Sequence, residues 1–349
     1  MNNSKILITG GVGFVGSNLT NYLLDNFEVK EIVIVDNLIS SDLFNLSKDK
    51  RVKFLYGSIT EDKILQQIPR DISYVFHLSC YHGNQSSIQN PLDDHANNTL
   101  TSLKLFELLS SFDHLEKVVY AAAGCAVAEK KYGEVGPTSE DATVSLFHDS
   151  PYSISKLVGE MYGNYFFTQN ELPFVKARFQ NIYGPREILG AGVWRGTIHS
   201  VWRNVTPTFV WKTLHDEDIS LYAEGMASRD FLFVEDVARG LVSCALNGVS
   251  GESYNLASGI ETTIKVLAQK IIQLTKSNSK LDLLPKRDWD NSGNRYGDPT
   301  KSKEKINFTA QVSLDEGLDK TVKWTIKNKD YIANTIKKHQ YYLDRINQS

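Results

Sequence analysis

The most informative segment of the chain is ILITGGVGFVG, residues 6–16. It joins a short β-branched run to the start of an amphipathic helix, with a glycine triplet between them. In this context Gly10 permits a tight turn, Gly13 lets the backbone approach a pyrophosphate, and Gly16 allows close helix packing. Backbone N–H groups at the helix start then face an anion. The segment therefore predicts the phosphate-binding turn of a dinucleotide-binding unit.

An acidic residue follows at the spacing that such a unit requires. Asp36 lies twenty residues beyond Gly16, at the end of the second apolar run. A carboxylate there can accept hydrogen bonds from the ribose hydroxyls of adenosine, and it repels a 2′-phosphate. The predicted cofactor is NAD(H) and not NADP(H). The alternative is a structural glycine-rich turn followed by a solvated aspartate.

Short apolar runs alternate with longer amphipathic stretches through the first half of the chain. Helical spacing of apolar residues occurs in 19–27 and 100–109. This alternation predicts an α/β fold, a Rossmann-type doubly wound parallel sheet. The runs that we predict to be strands, buried on both faces, are residues 6–8, 32–35, 52–55, 74–76 and 118–120.

The rhythm changes near Gly184, where a loop-rich segment contains several tryptophans. Strand-like runs return at 231–234 and 254–256. We therefore expect a smaller, discontinuous C-terminal substrate domain. The predicted division is residues 1–183 and about 230–259 for the Rossmann domain, with about 184–229 and 260–349 for the substrate domain.

Composition and charge exclude several classes of protein. The 349 residues include 41 acidic and 38 basic side chains, a net charge of −3, so no large positive field exists to attract nucleic acid. No apolar run approaches the ~20 residues that cross a membrane. The three cysteines are too scattered for a disulfide framework or a metal knuckle, so no metal is expected. Together with an N-terminal apolar run too short for a signal peptide, they predict a cytoplasmic location.

A second motif, SPYSISK at residues 150–156, carries the candidate chemistry. Ser150 is placed to cap a helix that begins at Pro151. Tyr152 and Lys156 are four residues apart, so they project from one helix face. The ammonium group should lower the pKa of the phenol from ~10 and let Tyr152 remove a hydroxyl proton while hydride leaves the same carbon. A surface tyrosine packed on a lysine stem is the alternative. The apolar residues predicted to form the buried side of this helix are Ile154, Leu157, Val158, Met161 and Tyr165.

These motifs, in this order, resemble the extended short-chain dehydrogenase/reductase family, in its nucleotide-sugar epimerase/dehydratase branch. The resemblance also rests on DNL at 36–38, HLSC at 77–80, SIQNP at 87–91, RFQNIYGP at 178–185 and SRDF at 228–231. It implies NAD as cofactor, Tyr152 and Lys156 as catalytic residues, and a nucleotide-diphosphate sugar as substrate. It also implies a homodimer or higher homo-oligomer, paired through helices that begin near Asn98 and Pro151.

The resemblance further implies two sets of binding residues. Asn181 usually meets the sugar or its phosphate, and Arg229 usually contacts the nucleotide diphosphate. The alternatives are that Asn181 caps a turn and that Arg229 pairs with Asp230 or Glu235. The implied cofactor-binding residues are Gly10, Gly13, Phe14, Val15, Gly16, Asp36, Asn37, Ser58, Ile59, Leu78, Asn98, Tyr152 and Lys156. The implied substrate-binding residues are Asn181, Arg186, Arg195, Arg229 and Arg295.

The sequence departs from the family pattern after the fifth predicted strand. Gly124 occupies the position of a Ser or Thr that usually hydrogen-bonds the reacting sugar hydroxyl. The Asp-Glu pair of the 4,6-dehydratases is missing between residues 121 and 128, so dehydration is not expected. Cys125 falls where some epimerising relatives carry a catalytic cysteine, although a small buried residue is the favoured interpretation. Ser58 replaces the usual adenine-contacting aspartate.

The predicted function is NAD-dependent oxidation of the C4 hydroxyl of a nucleotide-diphosphate sugar to the 4-keto sugar. The pattern most resembles enzymes that oxidise GDP-manno-heptose for capsule polysaccharide assembly. One alternative is a C4-epimerase that uses the same transient oxidation. An alternative of another class is a non-catalytic NAD-binding sensor or scaffold, which the lost Ser/Thr would suit.

Overall fold

A seven-stranded parallel sheet forms the centre of the protein in its computed structural model, which describes residues 1–124, 136–286 and 293–346. The strands are β1 (Lys5–Thr9), β2 (Glu31–Asp36), β3 (Val52–Tyr56), β4 (Tyr74–His77), β5 (Lys117–Ala123), β6 (Phe174–Phe179), β7 (Asn181–Tyr183), β8 (Ile219–Tyr222), β9 (Ser228–Phe233), β10 (Ser253–Leu256), β11 (Glu261–Thr263) and β12 (Leu281–Leu284). The central sheet has the order β10-β6-β5-β4-β1-β2-β3. From β1 the chain adds β2 and β3 on one side of the sheet and then β4, β5 and β6 on the other. This switch in strand order leaves a crevice at the carboxyl ends of β1 and β4.

Helices cover both faces of this sheet. The helices of the described residues, some of which belong to a smaller unit, are α1 (Phe14–Asn26), α2 (Asp62–Leu65), α3 (Asn84–Gln89), α4 (Pro91–Asp94), α5 (Thr101–Leu109), α6 (Pro151–Asn170), α7 (Val205–Thr213), α8 (Val234–Asn247), α9 (Ile264–Thr275), α10 (Thr300–Ile306), α11 (Leu314–Lys327), α12 (Lys329–Lys337) and α13 (Gln340–Ile346). A π-helical turn, His95–Leu100, leads into α5. None of the helices in the described ranges is both long and apolar enough to span a bilayer.

Alternate residues of the strands build two separate cores. Ile6 and Ile8 of β1 pack with α1 and α8 on one face, and Leu7 packs with α5 and α6 on the other. The predicted Rossmann-type fold is confirmed, and β1–β5 coincide with the five predicted strands. The prediction of burial on both faces is wrong for β3. As the edge strand it buries only Leu55, and Tyr56 is 67% exposed.

The buried side of α6 also differs from the prediction. Ser150 caps the helix as predicted, accepting from the Ser153 N–H at 3.3 Å. However, Ile154, Met161 and Tyr165 are 49%, 61% and 57% exposed, and Leu157 and Val158 are only partly buried. The face toward the sheet consists of Ser153, Ser155, Lys156, Gly159, Glu160, Gly163 and Phe166.

Large aromatic side chains of the sheet explain this choice of face. A Cβ atom on Gly159 would lie 2.1 Å from the Tyr120 hydroxyl oxygen, and one on Gly163 would lie 2.0 Å from the Phe174 ring. The strands fill the interface with their own rings, so α6 must present its small residues there. The apolar stripe of the helix is thereby left facing outward.

A smaller unit lies over the carboxyl end of the sheet. It contains the three-stranded sheet β11-β9-β7 and the parallel pair β12-β8, packed against α7, α9 and α11. Of the two predicted returning strands, β10 joins the central sheet, whereas β9 pairs within the small sheet. The proposed residue division between two domains remains a prediction.

Candidate active site

A cleft of about 890 Å³ opens between the central sheet and the smaller unit, at the switch point of the strand order. This volume is within the range of small-molecule and cofactor sites. Most of the predicted binding residues line it: Gly10, Gly13, Phe14, Val15, Gly16, Asp36, Asn37, Ser58, Ile59, Leu78, Tyr152, Lys156, Asn181, Arg186, Arg229 and Arg295. Asn98 and Arg195 do not line the cleft, for reasons given below.

The glycine turn has the geometry that the sequence predicts. Gly10 has a φ of +71°, in the left-handed region. A Cβ on Gly16 would lie 2.4 Å from the Gly10 carbonyl oxygen, so a side chain there would displace the turn. Helix α1 begins at Phe14, directly after this turn, and directs its first N–H groups toward the cleft.

Asp36 connects the turn to the loop that follows β2. Its carboxylate accepts from Val12 N at 3.1 Å, from Leu38 N at 2.9 Å and from the Ser41 hydroxyl at 2.7 Å. Burial raises the pKa of this carboxyl, and hydrogen bonds from Ser41, Leu38, Val12 and Gly13 oppose that shift. Asp36 also lines the cleft, where its carboxylate faces the place of a ribose hydroxyl. Asp36 therefore organises the cofactor cradle as well as facing it.

Tyr152 and Lys156 lie together at the base of the cleft, as their spacing on α6 predicts. The Lys156 Nζ atom is 5.8 Å from the Tyr152 ring centroid and donates to the Ala121 carbonyl of β5 at 3.0 Å. The Tyr152 N–H donates to Ser87 Oγ at 3.1 Å, which fixes the start of the helix. The pair is thus held between α6 and the end of β5.

The predicted lowering of the Tyr152 pKa is not found. Burial raises the pKa of this phenol well above 10, and the nearby Cys80, Tyr120 and Asp94 raise it further. The cleft wall removes water from the hydroxyl, and this desolvation disfavours the charged phenolate. The positive charge of a bound nicotinamide would act in the opposite direction and favour the phenolate.

Asn98 lies beneath the cleft instead of in its wall. It is 2% exposed, and its oxygen accepts from Tyr81 N at 2.7 Å. Its amide nitrogen donates to Asp94 Oδ1 at 2.7 Å and to Ser155 Oγ at 3.1 Å. Asn98 therefore joins the π-helical turn, α6 and the loop after β4, and supports the catalytic helix from behind.

A second buried side chain supports the sheet below the cleft. His77 at the end of β4 is hydrogen-bonded to Thr9 Oγ1 at 2.7 Å and to Ser102 Oγ at 3.0 Å. Burial, assisted by the charge of Lys156, lowers the pKa of His77 to about 3. It is a neutral bridge between β1, β4 and α5.

The predicted substrate-binding arginines separate into two groups. Arg186, Arg229 and Arg295 line the cleft. Arg229 donates to the carbonyls of Ser228 at 2.6 Å and Gly293 at 2.7 Å, and Arg295 lies 3.5 Å from Asp149. The carboxylates of the alternative interpretation have other partners: Asp230 accepts from Ser258, and Glu235 pairs with Lys320.

Arg195 is buried behind the cleft wall. It is 4% exposed, and its Nη1 donates to the His82 carbonyl at 2.7 Å. Its guanidinium carbon lies 5.1 Å from the Tyr81 ring centroid. In this structure Arg195 contacts the loop after β4, whereas the sequence predicts a contact with substrate.

The polar residues of the cleft wall that sequence reasoning missed include His82, Glu187 and Arg203. Burial raises the pKa of Glu187 to about 7, and the carboxylate accepts from the Asn204 amide. Burial and the charge of Arg195 lower the pKa of Arg203 to about 9. His82 and Glu187 each lie two residues beyond a motif of the family pattern, at 77–80 and 178–185, whereas Arg203 lies far from either motif, and nothing in the local pattern of the three marks them as buried.

Gly124, which stands where the family usually has a Ser or Thr hydroxyl, directly follows β5. Gly124 lines the cleft, and its N–H donates to the Phe179 carbonyl at 2.8 Å. A Cβ there would lie 2.2 Å from the same carbonyl oxygen. Cys125, the other residue of interest in this segment, lies outside the described residues.

A Rossmann sheet with this glycine turn, an acid at the end of β2 and a Tyr-Lys pair on α6 defines an extended short-chain dehydrogenase/reductase. The chain belongs to the NAD dependent epimerase/dehydratase family, whose model matches residues 6–257. This match confirms the predicted family and the prediction of NAD.

The solved structures of known proteins extend the likeness over nearly the whole chain. The chain is 49% identical to the enzyme WbmF of Bordetella bronchiseptica in complex with NAD+ and UDP, with a TM-score of 0.89 and coverage of 99% of this chain and 98% of that one. It is 29% identical to the UDP-glucose 4-epimerase of Thermotoga maritima with UDP-glucose, with a TM-score of 0.83 and coverage of 93% and 99%.

A curated relative gives the same family. The chain is 26% identical over 324 residues to a putative UDP-glucose 4-epimerase of Methanocaldococcus jannaschii, covering 93% of this chain and 99% of the relative. The chain is therefore an enzyme of the NAD-dependent nucleotide-sugar epimerase and dehydratase class.

Proposed function

We propose that this protein oxidises the C4 hydroxyl of a nucleotide-diphosphate sugar to a 4-keto sugar. The observation that carries the proposal is the Tyr152–Lys156 pair at the base of the cleft, between the glycine turn and a wall lined by arginines. A sensor or scaffold needs no buried phenol beside a fixed ammonium group, so the pair favours catalysis over that alternative.

Separate residues of the cleft bind the cofactor and carry out the proton transfer. The glycine turn and Asp36 hold the dinucleotide, and Tyr152 accepts the proton of the sugar hydroxyl at its phenolic oxygen. NAD+, when bound, accepts the hydride that leaves the same sugar carbon and adds the positive charge that favours the phenolate. Lys156, anchored on the Ala121 carbonyl, keeps its ammonium group next to the phenol through the proton transfer.

For the nucleotide, the cleft offers Arg186, Arg229 and Arg295 to a diphosphate and Asn181 to the sugar or its phosphate. UDP leads the candidates because a relative that is 49% identical binds it. A GDP-manno-heptose of capsule polysaccharide assembly, the substrate type favoured by the sequence pattern, is the second candidate. The absence of an acidic pair in residues 121–128 argues against dehydration.

C4 epimerisation through the same oxidation is the second candidate function, and one segment favours it. The segment 188–203 crosses to the loop after β2: Val193 N donates to the Ile39 carbonyl at 3.1 Å and Arg203 Nη1 donates to the Ser40 carbonyl at 2.6 Å. A cover of this kind would slow exchange of the cofactor, which C4 epimerisation requires if the 4-keto sugar is to be reduced again in the same cleft.

Incubation with UDP- and GDP-sugars, followed by NADH absorbance and product mass, tests the proposal. Loss of two mass units with stoichiometric NADH indicates net oxidation, and unchanged mass with inverted C4 indicates epimerisation. Loss of water would contradict both. Tyr152→Phe should abolish oxidation and leave NADH binding intact. Full turnover by this variant would remove Tyr152 from the mechanism.

We also propose that the protein is a cytoplasmic homodimer or higher homo-oligomer, paired through α6. Its exposed Ile154, Met161 and Tyr165 are spaced seven and four residues apart, so they form one apolar stripe. Light scattering after gel filtration should give at least twice the 39.3 kDa chain mass, and Met161→Lys should shift the protein toward monomer. A monomeric mass for the unaltered protein would contradict this.

A further inference from the structure

Gly124 lacks the Ser or Thr side chain that usually contacts the reacting sugar hydroxyl together with the catalytic tyrosine, here Tyr152. Gly124 has no room for a side chain, because a Cβ would meet the Phe179 carbonyl oxygen at 2.2 Å. That oxygen also accepts the Gly124 N–H and ends the pairing of β5 with β6. A second contact with the hydroxyl must therefore come from another wall of the cleft.

His82 lines the cleft next to Tyr152. It lies on the loop after β4 and lines the cleft together with Cys80. The His82 and Tyr152 rings meet edge to face, with centroids 5.9 Å apart and an interplanar angle of 72°. The imidazole therefore packs directly against the Tyr152 side chain in the lining of the cleft.

The loop that carries His82 is held from two sides. Arg195 Nη1 donates to the His82 carbonyl at 2.7 Å, and the preceding Tyr81 N–H donates to Asn98 Oδ1 at 2.7 Å. The Arg195 guanidinium also covers the Tyr81 ring at 5.1 Å. The buried position of Arg195 is thus explained by its contact with this loop, which gives the imidazole a fixed place in the wall.

The electrostatic surroundings keep this imidazole neutral. Burial in the cleft wall, followed by the charges of Arg195, Arg203 and Lys156, lowers the pKa of His82 to about 3. A neutral imidazole has one N–H donor and one acceptor nitrogen, the same pair of functions as a hydroxyl group. Among the described residues, the hydrogen bond that His82 makes uses its backbone carbonyl, so both ring nitrogens are available to the cleft.

We propose that His82 hydrogen-bonds the reacting sugar hydroxyl beside Tyr152, in place of the Ser or Thr side chain that Gly124 lacks. This inference rests on the proposed oxidation. His82 orients the hydroxyl and neither gains nor loses a proton: the proton passes to the Tyr152 oxygen, and the hydride passes to the cofactor. It is a catalytic residue because it touches the reacting group.

Three substitutions at this position test the assignment with the full-length protein. His82→Phe keeps the ring contact with Tyr152 and removes both nitrogens, whereas His82→Gln keeps a donor and an acceptor. His82→Ala leaves a space that free imidazole can fill. The measurements are the single-turnover rate of NADH formation with the best UDP- or GDP-sugar, the KM, and the NADH Kd by fluorescence, with Tyr152→Phe as the reference for loss of chemistry.

We expect His82→Phe to lower the rate about 100-fold, the effect of removing one positioned hydrogen-bonding group, with the NADH Kd changed less than twofold. His82→Gln should stay within tenfold of the unaltered enzyme, and imidazole should restore part of the rate of His82→Ala. The pH profile of His82→Gln should keep its acid limb, because the imidazole is neutral throughout.

Other outcomes would contradict either the role of His82 or the proposed oxidation. A His82→Phe rate within threefold of the unaltered enzyme, while Tyr152→Phe is inactive, would overturn the role of His82 and leave the proposed oxidation standing. Equal loss in the Phe and Gln variants without imidazole rescue, or loss of NADH binding in all three variants, would make His82 a structural residue. Full activity of Tyr152→Phe would instead contradict the proposed function itself.

Discussion

Restoring the family hydroxyl with Gly124→Ser should destabilise the protein and should not improve catalysis. The added Cβ would lie 2.2 Å from the Phe179 carbonyl oxygen, more than 1 Å inside the 3.4 Å at which ordinary contact begins. Phe179 must move away, and its hydrogen bond from Gly124 N at 2.8 Å is lost. Overpacking costs about 1–3 kcal/mol and a backbone hydrogen bond about 1 kcal/mol, so the free energy of unfolding should fall by about 2–4 kcal/mol.

Urea denaturation followed by circular dichroism measures this change, with Gly124→Ala and Gly136→Ala as companions. The first adds the Cβ alone and should reproduce most of the loss. The second is the matched control, since a Cβ at Gly136 meets no atom within 4 Å. A surface substitution typically changes the free energy of unfolding by no more than about 0.5 kcal/mol. If Gly124→Ser changes it by no more than that, position 124 has room for a hydroxyl and the steric reasoning is wrong.

Three further predictions concern charge and burial. Glu160→Gln should lower the free energy of unfolding by about 3 kcal/mol, because it leaves the buried Arg178 guanidinium, which donates to Glu160 at 3.0 and 2.8 Å, without a charged partner. Asp319→Asn, in an exposed pair with Lys323, should lower it by almost nothing. Equal losses in the two variants would contradict this reasoning. The pKa of His77 falls from 6.5 to about 3 on folding, so as the pH falls the unfolded protein takes up a proton at this residue before the folded protein does. The stability that His77 contributes above pH 6.5 is therefore lost as the pH falls, by about 2 kcal/mol between pH 8 and pH 5. His82, whose pKa is lowered to the same value, adds an equal contribution, so His77→Gln should remove only the His77 share of the slope in urea titrations; an unchanged slope would exclude His77 as a contributor. Asp36→Ala should weaken NADH binding about tenfold in a fluorescence titration, since the carboxylate joins Val12 of the turn to Leu38 and Ser41 of the loop after β2, and an unchanged Kd would show that the cofactor cradle needs no such link.

The sequence predicts most accurately those features that depend on a few consecutive residues. The glycine turn, the Ser150 cap and the Tyr152–Lys156 spacing are each set by local backbone geometry, and the structure has all three. The order of alternating strands and helices likewise leaves few arrangements for a parallel sheet.

Features that depend on packing between distant segments could not be predicted in this way. The buried face of α6 is chosen by Tyr120 and Phe174 on other strands, which require glycines opposite them. The raised pKa of Tyr152 depends on how completely the cleft wall removes water, which no spacing rule contains. Arg195 likewise serves the loop behind the wall because Tyr81 and His82 happen to lie next to it in space.

The most direct test of the oxidation uses a nucleotide sugar that carries deuterium at C4. Unaltered enzyme is incubated with this sugar, and the recovered cofactor and product are analysed by mass spectrometry. We expect deuterium on the nicotinamide when the keto sugar is released, or its return to C4 with a slowed rate when the sugar is epimerised. Deuterium that stays at C4 with no effect on the rate, while the sugar reacts at another carbon, would contradict hydride removal from C4.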